Sequence, residues 1–488
     1  MKFIYVFFAF YIFPFLLDAQ DIQQKLKTAY RQFESDSQFK HASSSLYVIN
    51  AKTGAVVFDK NSQVGLVPAS TQKIITAATA FELLGKDFRY KTDFGYKGKI
   101  EKGLLYGYFY LIGSGDPTLG SWRYRSTTPD FYYEKLMKAV RNSGIKNDSF
   151  SPIYLVFDLS RYSDELFNDN WIWQDLGNYY GISSCALNWR ENQFDAIIFP
   201  GKNAGDPIKA MKLFPQYVER RLIVNNQLTT GEKGSGDNSY FYYSPGKGSN
   251  EYHMDLKGSV PAGVDSFVVS ASYPDPRFYF SEFLLPVAAN QEIESSMNYP
   301  LFGRTAYSYH WEGDSSSIKG YTGKSTMLYE HSSPSLDSII YWFLQKSINL
   351  YGEALIKTFA YHKNGFGSTD SGIVIEKNFW KQKGIDPGEL NIRDGSGLSP
   401  QNRVTTHAEV EILKYARQQA WFQYFLKAFP ESNKMKLKSG SITDVKGFCG
   451  YCTSADGTDY IFSFLTNNYT GAPQAVINKM YKVLDSLK

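Results

Sequence analysis

The sequence predicts an α/β domain assembled from both ends of the chain, with a mainly β region inserted between them. Three observations carry this. At 488 residues the chain is too long for one ordinary hydrophobic core, so two or three domains are expected. Both ends alternate strand and helix patterns. From about residue 92 to 300 the texture changes instead to short strands, turns and Gly/Ser-rich loops such as Gly113-Ser114-Gly115-Asp116-Pro117 and Thr229 to Ser239. A hydrophobic fraction of 43% with 20% charged residues is that of a globular chain. The formal net charge of +4 is small for this length, so no nucleic-acid partner is expected.

At the N-terminus, Lys2 precedes an apolar run from Phe3 to Leu17, and Ala19 offers a small residue for cleavage. This pattern predicts a secretory signal peptide over residues 1–19, hence an exported, periplasmic protein. Ser45 to Asn50, a turn at Lys52-Thr53-Gly54 and Ala55 to Phe58 predict a hairpin. Next, Ile74, Ile75, Ala77, Ala78, Phe81 and Leu84 share a face at helical period, placing Ser70 at a helix N-terminus. Later helices are predicted from Pro334 to Lys346, Leu350 to Tyr361 and Thr405 to Arg417. Strands follow over Ser441 to Thr453 and Asp459 to Asn467, then an amphipathic helix from Ala472 to Leu487. The expected division is therefore 20–92 with 302–488 as the catalytic domain, and 93–301 as an insertion of two β-rich subdomains. The three cysteines, Cys185, Cys449 and Cys452, are too few for a disulfide scaffold. Cys449 and Cys452 stand three apart on a predicted strand and face opposite ways, so buried free thiols are expected.

Three short motifs carry chemistry. Ser70-Thr71-Gln72-Lys73 is an S-x-x-K at a helix start. A serine hydroxyl needs a neighbour to take its proton, and one helical turn brings the Lys73 amine within reach as general base. That role requires Lys73 to be neutral part of the time, so burial and the nearby cation Lys438 are expected to depress its pKa. Ser347-Ile348-Asn349 is an S-x-N between two predicted helices; its hydroxyl suits proton relay and its amide suits holding a substrate amide. Lys438-Ser439-Gly440-Ser441 leads into a strand. Here Lys438 offers positive charge to a carboxylate, Ser439 a hydroxyl, and Gly440 close approach of the strand backbone. Each motif alone is explained by a cap or a charged turn; the ordered set is not.

This order of motifs resembles penicillin-binding proteins and class A β-lactamases. Most of the chain lies between Ser70 and Ser347, whereas class A β-lactamases place the two motifs only tens of residues apart. The chain is therefore similar to the class C low-molecular-mass (type-4) penicillin-binding proteins, which are D-alanyl-D-alanine carboxypeptidases/endopeptidases. Other segments that carry the resemblance are Gly113 to Ser121, Trp171 to Gly177, Ala186-Leu187-Asn188, Ser332 to Leu336 and Asp394-Gly395-Ser396-Gly397-Leu398-Ser399. Ser439 departs from the more usual Thr but keeps the hydroxyl. The resemblance implies a β-lactamase/transpeptidase-like serine hydrolase domain acting on peptidoglycan stem peptides through a Ser70 acyl-enzyme and binding β-lactams. It implies an oxyanion hole from the backbone N–H groups of Ser70 and Ser441. It also places Asp158 where an acidic residue meets a diamino acid of a cross-link, although a turn aspartate explains Asp158 equally well.

Other chemistries lack their residues. The six histidines are scattered, with no H-E-x-x-H, so no metal or other cofactor is expected. No G-x-S-x-G nucleophile elbow occurs. Gly320 to Ser325 is similar to a phosphate loop, but Ile318 occupies the position of its first glycine. Two alternatives keep the same scaffold: a β-lactamase or esterase with fast deacylation, and a catalytically idle wall-binding protein.

Overall fold

A computed structural model describes residues 13–146, 155–244, 251–288, 309–311 and 324–488. The first twelve residues of the expected signal peptide and most of the phosphate-loop-like segment lie outside the described residues. The chain forms two compact units. One comprises Met1–Lys86, Ile340–Ser347 and Ile373–Lys488; the other comprises Asp87–Ile339 and Ile348–Gly372.

The first unit contains α1 (Phe13–Glu34), β1 (Ser43–Asn50), β2 (Val56–Lys60) and α2 (Lys73–Leu84) from the N-terminal part. From the C-terminal part come α3 (Thr406–Arg417), β3 (Glu431–Ser432), β4 (Met435–Ile442), β5 (Val445–Thr453), β6 (Asp459–Asn467) and α4 (Pro473–Leu484). The strands make one antiparallel sheet in the order β3-β4-β5-β6-β1-β2. β1 lies against β6 from Ser43↔Asn467 to Asn50↔Tyr460, so the two chain ends do build one α/β layer structure. The predicted hairpin is closed by Asn50 Oδ1, which accepts from the backbone N–H groups of Lys52 and Thr53.

Both faces of this sheet are buried. On one, Phe448, Phe462 and Phe464 pack with Leu26, Tyr30 and Phe33 of α1 and Val476 and Met480 of α4. Each fully buried side chain of this size contributes about 1.5–3 kcal/mol. On the other face Ser463 donates to Glu409 of α3. There α3 is capped by Thr405, whose Oγ1 accepts from Ala408 N–H at 3.0 Å. The three cysteines are buried and free. Cys449 Sγ lies 4.0 Å from Thr71 O, while Cys452 belongs to the core on the α1/α4 face.

Several expectations need correction. α2 does not present a single apolar face, because every residue from Lys73 to Phe81 is buried. It is an enclosed central helix. The expected strand Ser441–Thr453 is two strands, β4 and β5, divided by a turn in which Asp444 takes φ 55°. Asp tolerates this left-handed conformation, which made the turn easy to overlook without a glycine.

The second unit has a five-stranded sheet ordered Tyr309–Trp311, Leu155–Asp158, Leu104–Ile112, Lys91–Glu101, Ser325–Ser332, and two three-stranded sheets. It also carries helices Pro129–Asn142 and Pro276–Ala288, which the strand-rich texture concealed. The boundary expected near residue 302 falls later, because Ser325–Ser332 pairs antiparallel with Lys91–Glu101. Nor do two separate subdomains form: Phe94, Ile198, Leu222 and Leu256, drawn from all three sheets, share one apolar core. Among the described residues no helix is long and apolar enough to cross a membrane.

Candidate active site

The turn that carries Ser70 is held in a strained shape. Asn467, the last residue of β6, grips the incoming chain with both amide atoms: Oδ1 accepts from Val67 N–H at 2.7 Å and Nδ2 donates to Val67 O at 3.1 Å. Ala69 then takes φ 47°, a left-handed conformation that is costly for a residue with a Cβ. Ala69–Gln72 is a 3-10 turn leading into α2, so Ser70 precedes the α-helix proper instead of starting it. In a 3-10 turn residues three apart nearly eclipse. Lys73 Nζ accordingly lies 2.9 Å from Ser70 Oγ.

Lys73 is wholly buried. Its Nζ donates to Ser396 O at 2.6 Å and sits 5.9 Å from the centre of the Phe343 ring. The Ser396 carbonyl is aimed by a tight loop organised on Asp394. That carboxylate accepts from Gly397 N–H at 2.7 Å, Ser399 N–H at 2.6 Å and Asn402 Nδ2 at 3.0 Å. Gln72 Nε2, next to Lys73 in the chain, donates to Asp394 O at 2.6 Å. The loop packs so closely that a Cβ on Gly397 would stand 1.9 Å from Ala69 O.

β4 runs against this turn. A Cβ on Gly440 would meet Pro68 O at 2.4 Å, Thr71 N at 2.8 Å and Ser70 N at 2.9 Å. Lys438-Ser439-Gly440-Ser441 therefore lies within the strand, not ahead of it. Lys438 is buried, and its Nζ lies 3.0 Å from Ser347 Oγ and 2.6 Å from Ser439 O. Ser347 itself takes φ 55°. Burial, reinforced by the Lys446 ammonium, pulls the Lys438 pKa from 10.5 down to about 7, with Cys449 working the other way.

The first unit thus brings together Ser70, Lys73, Ser347, Lys438 and the Ser439-Gly440-Ser441 backbone. Asn349 belongs to the second unit, two residues beyond Ser347, where its Nδ2 donates to Tyr180 O at 2.9 Å. Asp158, also in the second unit, ends a strand and closes its own turn: Oδ1 accepts from Ser160 N–H at 3.0 Å and Ser160 Oγ at 2.6 Å. The motifs name Gln72 and Ser396 without a role, and Asn467 only as the end of a strand. The Asp394–Ser399 run carried the family resemblance, but Ser396 acts through its carbonyl, which side-chain identity does not reveal.

Known proteins share this fold. A profile of the D-Ala-D-Ala carboxypeptidase 3 (S13) family matches residues 26–298 and 311–487. The chain is 25% identical to the D-alanyl-D-alanine carboxypeptidase of Actinomadura sp. (strain R39), over 90% of this chain and 81% of that protein. It is 24% identical to D-alanyl-D-alanine carboxypeptidase DacB of Haemophilus influenzae, over 86% of this chain and 84% of that protein. The crystal structure of penicillin binding protein 4 from H. influenzae matches with a TM-score of 0.72 at 21% identity, covering 96% of this chain and 98% of that one. A second structure of that protein, complexed with a β-lactam, matches with a TM-score of 0.68. The fold is that of these enzymes.

Proposed function

The chain belongs to the D-Ala-D-Ala carboxypeptidase 3 (S13) family, and from that membership we propose that Ser70 is the nucleophile of a serine-type D-Ala-D-Ala carboxypeptidase acting on peptidoglycan stem peptides. The observation that carries the proposal is the 2.9 Å contact between Lys73 Nζ and Ser70 Oγ in a site where Lys73 is fully buried. Lys73 takes the Ser70 proton as the hydroxyl oxygen attacks the carbonyl joining the two D-alanines. The developing oxyanion is met by the N–H groups of Ser70 and Ser441, each such donor being worth about 3 kcal/mol. Gly440 supports that pairing, since it lets β4 approach the Ser70 amide. Lys438 and Ser439 receive the terminal carboxylate, Asn349 holds a substrate amide, and Ser347, in contact with Lys438, passes a proton to the departing amine. Water then releases the shortened peptide.

The same steps applied to a branched leaving group would open D-alanyl–diaminopimelyl cross-links. In that extension Asp158 offers charge to the free end of the diamino acid, with Oδ1 already engaged by Ser160. The apolar run Phe3 to Leu17 supports export to the periplasm.

The test uses a pentapeptide muropeptide analysed by mass, alongside labelling with a fluorescent penicillin. The wild-type enzyme is expected to remove one alanine and to carry a persistent label at Ser70; Ser70→Ala does neither. Release of D-alanine by the Ser70→Ala protein would refute the assignment. A label that is rapidly lost as hydrolysed penicillin would favour a β-lactamase.

A further inference from the structure

A buried carboxyl group stands behind the catalytic helix with no part in the chemistry above. Glu376, on the helix Thr369–Gln382, is fully buried, and among the described residues neither carboxyl oxygen has a hydrogen-bond partner. The hydroxyls of Thr76 and Thr79, on the back of α2, face it. Their hydrogens are committed elsewhere. Thr76 Oγ1 donates to Gly395 O at 2.9 Å, and Thr79 Oγ1 donates to Ile75 O at 2.8 Å while accepting from Trp380 Nε1 at 2.9 Å. Each hydroxyl has one hydrogen and two lone pairs. With the hydroxyls so turned a carboxylate at Glu376 meets lone pairs, whereas a carboxylic acid brings the missing hydrogen; turned toward Glu376 the same hydroxyls would hold its pKa down, against the larger effect of burial. The charged group acting on Glu376 from the neighbouring loop is Asp394, whose sign also disfavours ionisation.

We propose that Glu376 is a positioning residue that works as the neutral acid, its proton keeping the Thr76 hydroxyl turned toward Gly395. The consequence reaches the active site by a short route. Gly395 adjoins Ser396, whose carbonyl holds Lys73 at 2.6 Å, and Lys73 in turn contacts Ser70 at 2.9 Å. Loss of the Glu376 proton leaves a buried charge that recruits the Thr76 hydrogen. Gly395 O then loses the Thr76 hydrogen bond and the loop that aims Ser396 O loosens. Burial raises the Glu376 pKa from 4.5 to about 8, which puts this event within an accessible pH range.

The inference rests on Ser70 as nucleophile and Lys73 as its base. The test measures acylation by a fluorescent penicillin from pH 6 to 9.5 in wild type and Glu376→Gln, with thermal unfolding over the same range. The glutamine amide donates a hydrogen at every pH. Wild type is expected to lose about tenfold relative to Glu376→Gln between pH 7 and 9, as a single group near pH 8 ionises. Stability supplies the independent readout. A carboxyl with a raised folded pKa stabilises fully below its unfolded value of about 4.5, and that contribution fades up to about pH 8. Wild type should therefore fall progressively below the variant in Tm over that interval and then run parallel.

Superimposable acylation profiles despite the diverging Tm would reduce Glu376 to a structural group and overturn the proposal. A Tm difference constant across the range would overturn it too, since Glu376 would then not titrate. Thr76→Val provides a second reading if the glutamine variant fails to fold: it should acylate slowly at all pH values and lack the alkaline loss, and retention of that loss would also count against the proposal. Wild type that is not labelled at Ser70 at any pH would defeat the nucleophile assignment itself, a different result from labelling with coincident profiles.

Discussion

Replacing Gly440 by alanine isolates the contact between the strand and the nucleophile turn. The added methyl would begin 2.4 Å from Pro68 O, with Thr71 N at 2.8 Å and Ser70 N at 2.9 Å. All three neighbours are backbone atoms, so no side chain can swing aside. Restoring an ordinary contact of about 3.4 Å requires the strand and the turn to separate by about 1 Å. Overpacking of this kind costs about 1–3 kcal/mol of stability. The catalytic cost is larger, because a misplacement of about 1 Å between reacting groups lowers rates by about 10²-fold. The separation moves the strand that bears Ser441 away from the Ser70 amide, the pair proposed as the oxyanion hole, so the loss should fall on acylation. We expect Gly440→Ala to unfold cooperatively, with a modestly lowered midpoint in urea. Its second-order rate of labelling by a fluorescent penicillin should be about 10²-fold below wild type. A folded variant that acylates within threefold of wild type would show that the close approach is not needed, and the reasoning about the oxyanion hole would fail with it.

Two further substitutions or titrations probe the amines. Lys73→Met keeps volume in the buried site but removes the base, so acylation should drop by at least about 10²-fold, the usual range for a positioned proton acceptor; a rate within tenfold of wild type would move the role to another group. With its pKa near 7, Lys438 is mostly neutral at pH 8 and mostly charged at pH 6. An arriving carboxylate favours the ammonium, so binding of D-Ala-D-Ala to the Ser70→Ala protein should take up close to one proton at pH 8 and far less at pH 6. Calorimetry in two buffers of different ionisation enthalpy reads this directly, and equal heats at pH 8 would contradict it.

Much of the fold was legible wherever local chemistry is self-sufficient. The β1–β2 hairpin announced itself by its Lys-Thr-Gly turn, and α3 was expected over Thr405 to Arg417, where it forms. The closing helix was visible in its apolar periodicity. The β4–β5 hairpin was missed because its turn uses Asp444 at positive φ where a glycine would have been noticed. Helices Pro129–Asn142 and Pro276–Ala288 were missed because aromatic residues crowd them, and aromatics are the usual mark of strands. The insertion ran past the expected boundary because strand pairing between residues 91 and 332 is a long-range choice that neither segment signals alone.

The sequence by itself determined the reaction class, through three ordered motifs whose side chains we propose as the reacting groups, and the α/β class of the domain that carries them. Only the tertiary structure decided how those groups are tuned. The left-handed Ala69, the Asn467 clamp on Val67, the Ser396 carbonyl on Lys73 and the buried Glu376 behind Thr76 all depend on backbone atoms or on burial. Backbone carbonyls are the same at every residue, and burial is a property of what folds around a side chain. Neither is written in the identity of the residue that depends on it.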